Sequence, residues 1–176
     1  LYDRDNLPLL QPFRRRAASH HVLTEINGDM QLADSLLAED YRDTVVAQVS
    51  DVVEDQIAKR KGLSGAGIRT ALKMAKASRP DILPVVINRL LPDFCEALEP
   101  HFQAFLASDE TDFPRFVSQR EEDIQEAMLS VTDARAEHSQ NKTLKKMYRQ
   151  LRGTAVQEVR AILPRLAVLV QARLPA

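Results

Sequence analysis

Two stretches of this chain, about 76 residues apart, run through the same order of segments. Each passes from an acidic amphipathic segment to a short basic one, and then to an apolar segment interrupted by proline. The first copy reads VVAQVSDVVEDQIAKR, GIRTALKMAK and VVINRLLPDF; the second reads EEDIQEAMLSVTDARAEH, TLKKMYRQLR and VRAILPRLAVLV. A repeat of this length implies one supersecondary unit used twice, with neighbours burying each other's apolar faces. With Ile68 set on Leu144, Arg69 falls on Lys145, Leu72 on Tyr148, Lys73 on Arg149 and Lys76 on Arg152. Leu91-Pro92 then falls on Leu163-Pro164 after a gap of four residues, about one helical turn.

The segments between the breaks read as helices. Asp40 reads as the N-cap of a helix over about 41–60, where Val45, Val49, Val52, Val53 and Ile57 recur at helical spacing. Gly62 breaks the chain, and Ser64 caps a short helix to Ala77 with Ile68, Leu72 and Ala75 on one face and Arg69, Lys73 and Lys76 on another. Arg79-Pro80 ends it. A third helix starts between Asp81 and Pro84 and runs to about Ala107, with Pro92 and Pro100 expected to kink or divide it. Asp112 and Pro114 open a fourth that continues to about Glu137. Asn141 caps a fifth, short and basic, which Gly153 ends. Thr154 and Gln157 match a capping box for the last helix, which carries Pro164. The expected fold is all-α: a single-domain bundle of about six main helices in two three-helix pseudo-repeats, about 41–107 and 114–173. Five glycines in 176 residues are too few for a turn-rich sandwich.

Residues 35–176 are assigned to the bundle and 1–34 to a partly irregular N-terminal arm. Residues 7–24 contain no acid and carry Arg14, Arg15, Arg16, His20 and His21, which is also the composition of an organellar presequence. An organellar matrix is therefore the alternative to a cytoplasmic location. Asp3 and Asp5 favour the arm. The single Cys95 excludes an internal disulfide. The longest apolar run, Ile82 to Ile87, is too short to span a bilayer.

The blocks GLSGAGIRTALK, LLPDF, SVTDARA, YRQLRG and LPRLAVLV together resemble a bacterial, mostly actinobacterial, all-helical family of unknown function, from about Ser35 to Arg173. Leu72 stands where that family commonly has an aromatic residue. The resemblance implies a compact helical domain and supplies no activity.

The candidate chemistry is electrostatic. Seven Lys or Arg residues and no acid lie between Asp55 and Asp81, and five more between Glu137 and Glu158. If the two basic helices are related by a pseudo-twofold, Arg69, Lys73, Lys76, Lys145, Arg149 and Arg152 form one positive groove for an anion. The competing reading pairs each basic helix with the acidic helix before it, in keeping with the net charge of −1. Nucleic acid is disfavoured, because Tyr148 is the one aromatic residue among these cations.

GLSGAG matches neither a P-loop nor a dinucleotide fingerprint, and close helix packing accounts for Gly65, Ala66 and Gly67. No Glu-x-x-His pair is present, so no metal site is expected. Cys95, on an apolar segment with Phe94 and Leu98, reads as a buried, inert thiol. Asp133 and Arg135 lie beside an apolar stripe and are candidates for a buried polar network. Two residues apart on a helix, they do not face each other, so each needs its own partner.

No set of residues assembles into a catalytic site and no cofactor is implied. The expectation is a non-catalytic helical binding or scaffold module for an unknown protein partner. Its alternative is binding of an anionic ligand, lipid headgroup or nucleic acid through the two basic helices. The oligomeric state is left open.

Overall fold

Each acidic or apolar segment identified above becomes a helix, but the breaks fall in different places. The computed structural model describes residues 30–140 and 142–174. Among the described residues there are seven helices: α1 (Leu32–Leu37), α2 (Glu39–Lys59), α3 (Gly62–Ser78), α4 (Ile82–Leu106), α5 (Phe113–Gln119), α6 (Glu121–His138) and α7 (Lys142–Gln171). There is no strand among them. The described residues from Gln31 onward cluster as one compact unit. The expected arm lies mostly outside the described residues. Its far end does not: Leu32 is fully buried on α1, and its backbone N–H donates to Glu99 Oε2 on α4 at 2.9 Å. The bundle therefore begins at Leu32 rather than at residue 35.

Helix α2 starts one residue before Asp40, with Ala38 as its N-cap. Asp40 is instead in the first turn with Glu39, where both carboxylates face the positive end of the helix dipole. Helix α3 likewise starts ahead of Ser64, at Gly62, whose φ of +83° is left-handed and favours glycine. Gly65 is buried so close to the preceding turn that a Cβ would lie 2.6 Å from the Arg60 carbonyl oxygen. Gly67 meets nothing within 4 Å and Ala66 is exposed, so the packing explanation of GLSGAG holds for Gly65 alone.

Helix α4 is not divided at its prolines. Pro92 has no N–H to give to the Asn88 carbonyl one turn earlier. Arg42 of α2 takes that place: its Nη2 donates to Asn88 O at 3.1 Å and its Nε to Asn88 Oδ1 at 2.7 Å. The buried side chains Ile87, Leu91, Cys95, Phe102 and Phe105 keep one face along the whole length.

The expected helix from Asp112 to Glu137 is two helices. Asp112 does cap, accepting from the Arg115 N–H at 3.1 Å. The chain then leaves helical geometry at Arg120 and restarts with Glu121, Glu122 and Asp123, three acids suited to a helix N-terminus. The break turns Phe113 and Phe116 into an edge-to-face cluster with Phe102 and Phe105, with centroids 5.0–6.1 Å apart, while Arg120 lies 3.9 Å over the Phe116 ring.

The largest departure is α7. The expected stop at Gly153 and restart at Thr154 do not occur, and one helix runs 30 residues from Lys142. An interior glycine lowers helix stability by about 1 kcal/mol, which tertiary packing overrides. The proposed cap Asn141 lies outside the described residues. The second half therefore has no separate basic helix, and its helix order differs from that of α2, α3 and α4.

The bundle is built around α4 and α7. Helix α4 packs on α1, α2 and α6, and α7 packs on α2, α5 and α6. Polar contacts between Arg165 and Asp55 (2.7 Å), Gln56 and Glu158 (3.0 Å), and Arg60 and Glu158 tie α7 to α2. Helix α3 is peripheral, touching α2 and α4, and none of its apolar side chains among the described residues belongs to the buried core. The buried side chains described on α7 are Ile162, Leu163 and Ala167, in its C-terminal half.

Candidate functional site: a cationic cleft between α6 and α7

The turn after His138 folds α7 back along α6, so residues at comparable distances from the turn face each other. On α6, Asp133, Ala136 and Glu137 share a face at spacings of three and four residues. On α7, Lys145, Tyr148, Arg149 and Arg152 do the same. These seven residues line a cleft of about 330 Å³.

Asp133 organises the floor. Arg152 donates from Nε to Oδ1 at 2.7 Å and from Nη2 to Oδ2 at 2.8 Å, a two-pronged match of guanidinium to carboxylate. The Tyr148 hydroxyl donates to the same Oδ1 at 2.6 Å and lies 2.8 Å from the Thr132 hydroxyl. The Arg152 hydrogen bonds hold the Asp133 carboxyl below its usual pKa, with the Tyr148 hydroxyl helping. Burial, then the bond to Asp133, pushes the Tyr148 phenol up. Both oxygens of Asp133 are thus engaged.

The other charged groups in the cleft are not. Among the described residues, Lys145, Arg149 and Glu137 have no ion-pair partner. No acid occurs between Glu137 and Glu158, so α7 carries Lys142, Lys145, Lys146 and Arg149 near its positive end without local compensation.

The expected six-residue groove is not assembled in this cleft: it takes Lys145, Arg149 and Arg152 but no residue of α3. Lys76 is bound to Glu54 of α2 at 2.5 Å, and Arg69 donates to the Arg60 carbonyl. Lys73 is exposed and has no partner among the described residues. Lys76 and Arg152 therefore follow the competing reading, in which each cation pairs with the acidic helix before it.

Asp133 and Arg135 do have separate partners, and Asp133 is part-buried as expected, whereas Arg135 is exposed. The Asp133 side chain is 37% exposed and that of Arg135 57%. Arg135 pairs with Asp93 of α4, and its guanidinium holds the Asp93 carboxyl below the usual range. This pair borders a second cleft, about 640 Å³, where Ala97 and Pro100 of α4 face Val131, Ala134 and His138 of α6. Position explains the exposure, since both residues lie at the rim of α6, where the neighbouring helices leave open clefts.

Cys95 is buried, and burial, with the Glu99 charge nearby, pushes its thiol up to about 12. Among the described residues no group of three or more His, Cys, Asp or Glu side chains is placed to hold a metal, and no helix is long and apolar enough to cross a membrane. Sequence reasoning missed Glu137 and Asp93. Glu137 was accessible from its four-residue spacing to Asp133; Asp93 needed knowledge that α4 packs on α6.

Residues 32–174 match the model of a family of unknown function, DUF6918. No curated protein and no solved structure matches the chain.

Proposed function

We propose that this chain, which belongs to the DUF6918 family, is a non-catalytic binding module that takes its ligand in the α6–α7 cleft. The observation that carries the reading is the coexistence there of a fixed pair and free charge. Asp133, Arg152 and Tyr148 are locked to one another, while Lys145 and Arg149 line the same cleft with no partner among the described residues. The locked wall is ordered before binding, so the ordering that remains on binding is that of Lys145 and Arg149.

The charge of the free donors makes the ligand anionic, and this assigns anion binding to α7 rather than to two basic helices. Catalysis is not part of the proposal. Cys95 is buried with a raised pKa and does not line the cleft, and both Asp133 oxygens are already engaged by Arg152 and Tyr148.

The test is equilibrium dialysis of the full chain against small molecules from a bacterial lysate, read by mass spectrometry, beside a Lys145→Glu/Arg149→Glu variant. An anionic compound retained by the parent and lost by the variant is the expected result. Equal retention by both proteins, or none by either, would overturn the assignment.

A further inference from the structure

We infer that the ligand of this cleft is a small phosphate monoester. The inference rests on the cleft being the ligand site and concerns what that site selects. Because Asp133 is engaged by Arg152 and Tyr148, the charges left to a ligand are Lys145 and Arg149 against the single carboxylate of Glu137. A phosphate monoester carries about −1.5 to −2 at neutral pH and three acceptor oxygens. Lys142, Lys145, Lys146 and Arg149 at this end of α7 outnumber the neighbouring Glu137 carboxylate by three charges, so a dianion is held there more firmly than a carboxylate or sulfate ester with one negative charge.

The two cations are also complementary in shape. The Arg149 guanidinium offers planar paired donors to two phosphoryl oxygens, and the Lys145 ammonium, one helical turn away, is a compact charge for the third. The cleft wall next to them is the Tyr148 ring and the Ala136 methyl, which suits a small planar or aliphatic body on the ester oxygen. A volume of about 330 Å³ holds one such group.

Extended polyanions meet a different surface. The Glu137 carboxylate on the lining repels a second phosphate, and no residue of the basic helix α3 lines the cleft. The site selects one doubly charged phosphoryl group rather than a strand of phosphates.

The measurement is calorimetric titration of the full chain at low salt with phenyl phosphate, phenyl sulfate and benzoate, whose bodies match and whose charges differ. Phenyl phosphate should bind about tenfold more tightly than either monoanion, the effect of one additional well-placed charge. Lys145→Glu/Arg149→Glu should weaken it by more than about tenfold, and Lys73→Glu on α3 should leave it unchanged. Vesicles of phosphatidylcholine containing phosphatidic acid or phosphatidylserine form a second arm. Binding to phosphatidic acid alone, dependent on Lys145 and Arg149, identifies a lipid as the source of the monoester. Equal binding of benzoate or phenyl sulfate, abolished by the double variant, would overturn the phosphate inference while leaving the cleft as a ligand site. Tighter binding of a polyphosphate chain than of phenyl phosphate, or no response to any probe in either arm, would overturn it as well.

Discussion

Arg152 meets Asp133 edge to edge, with Nε 2.7 Å from Oδ1 and Nη2 2.8 Å from Oδ2, and this pair joins the N-terminal half of α7 to α6. The buried side chains described on α7, Ile162, Leu163 and Ala167, lie in its other half, and the Arg152–Asp133 pair gives the N-terminal half a polar attachment to α6. Lys76 and Glu54 make the corresponding link from α3 to α2.

Asp133→Asn should loosen this attachment. Both side chains of the pair are about a third exposed, so solvent screens it and the loss is about 1 kcal/mol, or a fall in Tm of about 2–4 °C. Tyr148→Phe, which removes the hydroxyl bonded to Asp133, should lower stability by about 0.5–1.5 kcal/mol. An Asp133→Asn protein that melts with the parent would contradict the pairing.

Acid should act through the same groups. Asp133, Asp93 and Asp55 all have depressed pKa values, through hydrogen bonds from Arg152, Arg135 and Lys59 respectively. Depressed carboxylates contribute stability that is complete above the unfolded value of about 3.9 and is lost as pH falls through the lower folded value. Melting temperature followed from pH 6 to pH 2.5 should therefore decline below about pH 4, and less steeply for Asp133→Asn. Identical slopes would remove Asp133 from the account.

Three glycine substitutions separate close packing from open space. Gly65→Ala drives a methyl to 2.6 Å from the Arg60 carbonyl and should destabilise by about 1–3 kcal/mol. Gly153→Ala and Gly67→Ala meet nothing within 4 Å. Each should stabilise by about 0.5–1 kcal/mol through helix propensity. If Gly153 were a left-handed helix stop, alanine there would destabilise instead, so chemical denaturation of this variant checks the continuity of α7.

Cys95 should resist thiol reagents in the native protein. It is 2% exposed and its thiol is pushed up to about 12, so the reactive thiolate is scarce as well as hidden. Labelling at pH 8 should be negligible without denaturant and complete with it. Rapid native labelling would place the thiol at the surface.

How much of this was legible in the sequence depended on whether the signal was local. The apolar spacing of Val45 and Val52, the Asp112 cap and the exclusion of strands all follow from short-range chemistry, and the helical architecture with them. The break at Arg120 was also written locally, in the acids Glu121, Glu122 and Asp123, but Pro114 and the stripe beyond it suggested one long helix. Gly153 misled in the opposite direction. Its neighbours Thr154 and Gln157 spell a capping box, yet α7, packed on α6 and α2, continues through it. At the cleft, the face of Lys145, Arg149 and Arg152 was readable from spacing. The absence of α3 from that cleft was not, because Lys76 finds Glu54 and Arg69 finds the Arg60 carbonyl only once the helices have packed.

The most direct measurement of the central claim is a two-dimensional amide NMR titration of the full chain with phenyl phosphate. The account predicts saturable shifts concentrated in residues 133–152, at the C-terminal end of α6 and the first half of α7, with residues 62–78 of α3 unmoved. Shifts centred on α3, or no saturable shift anywhere, would contradict it.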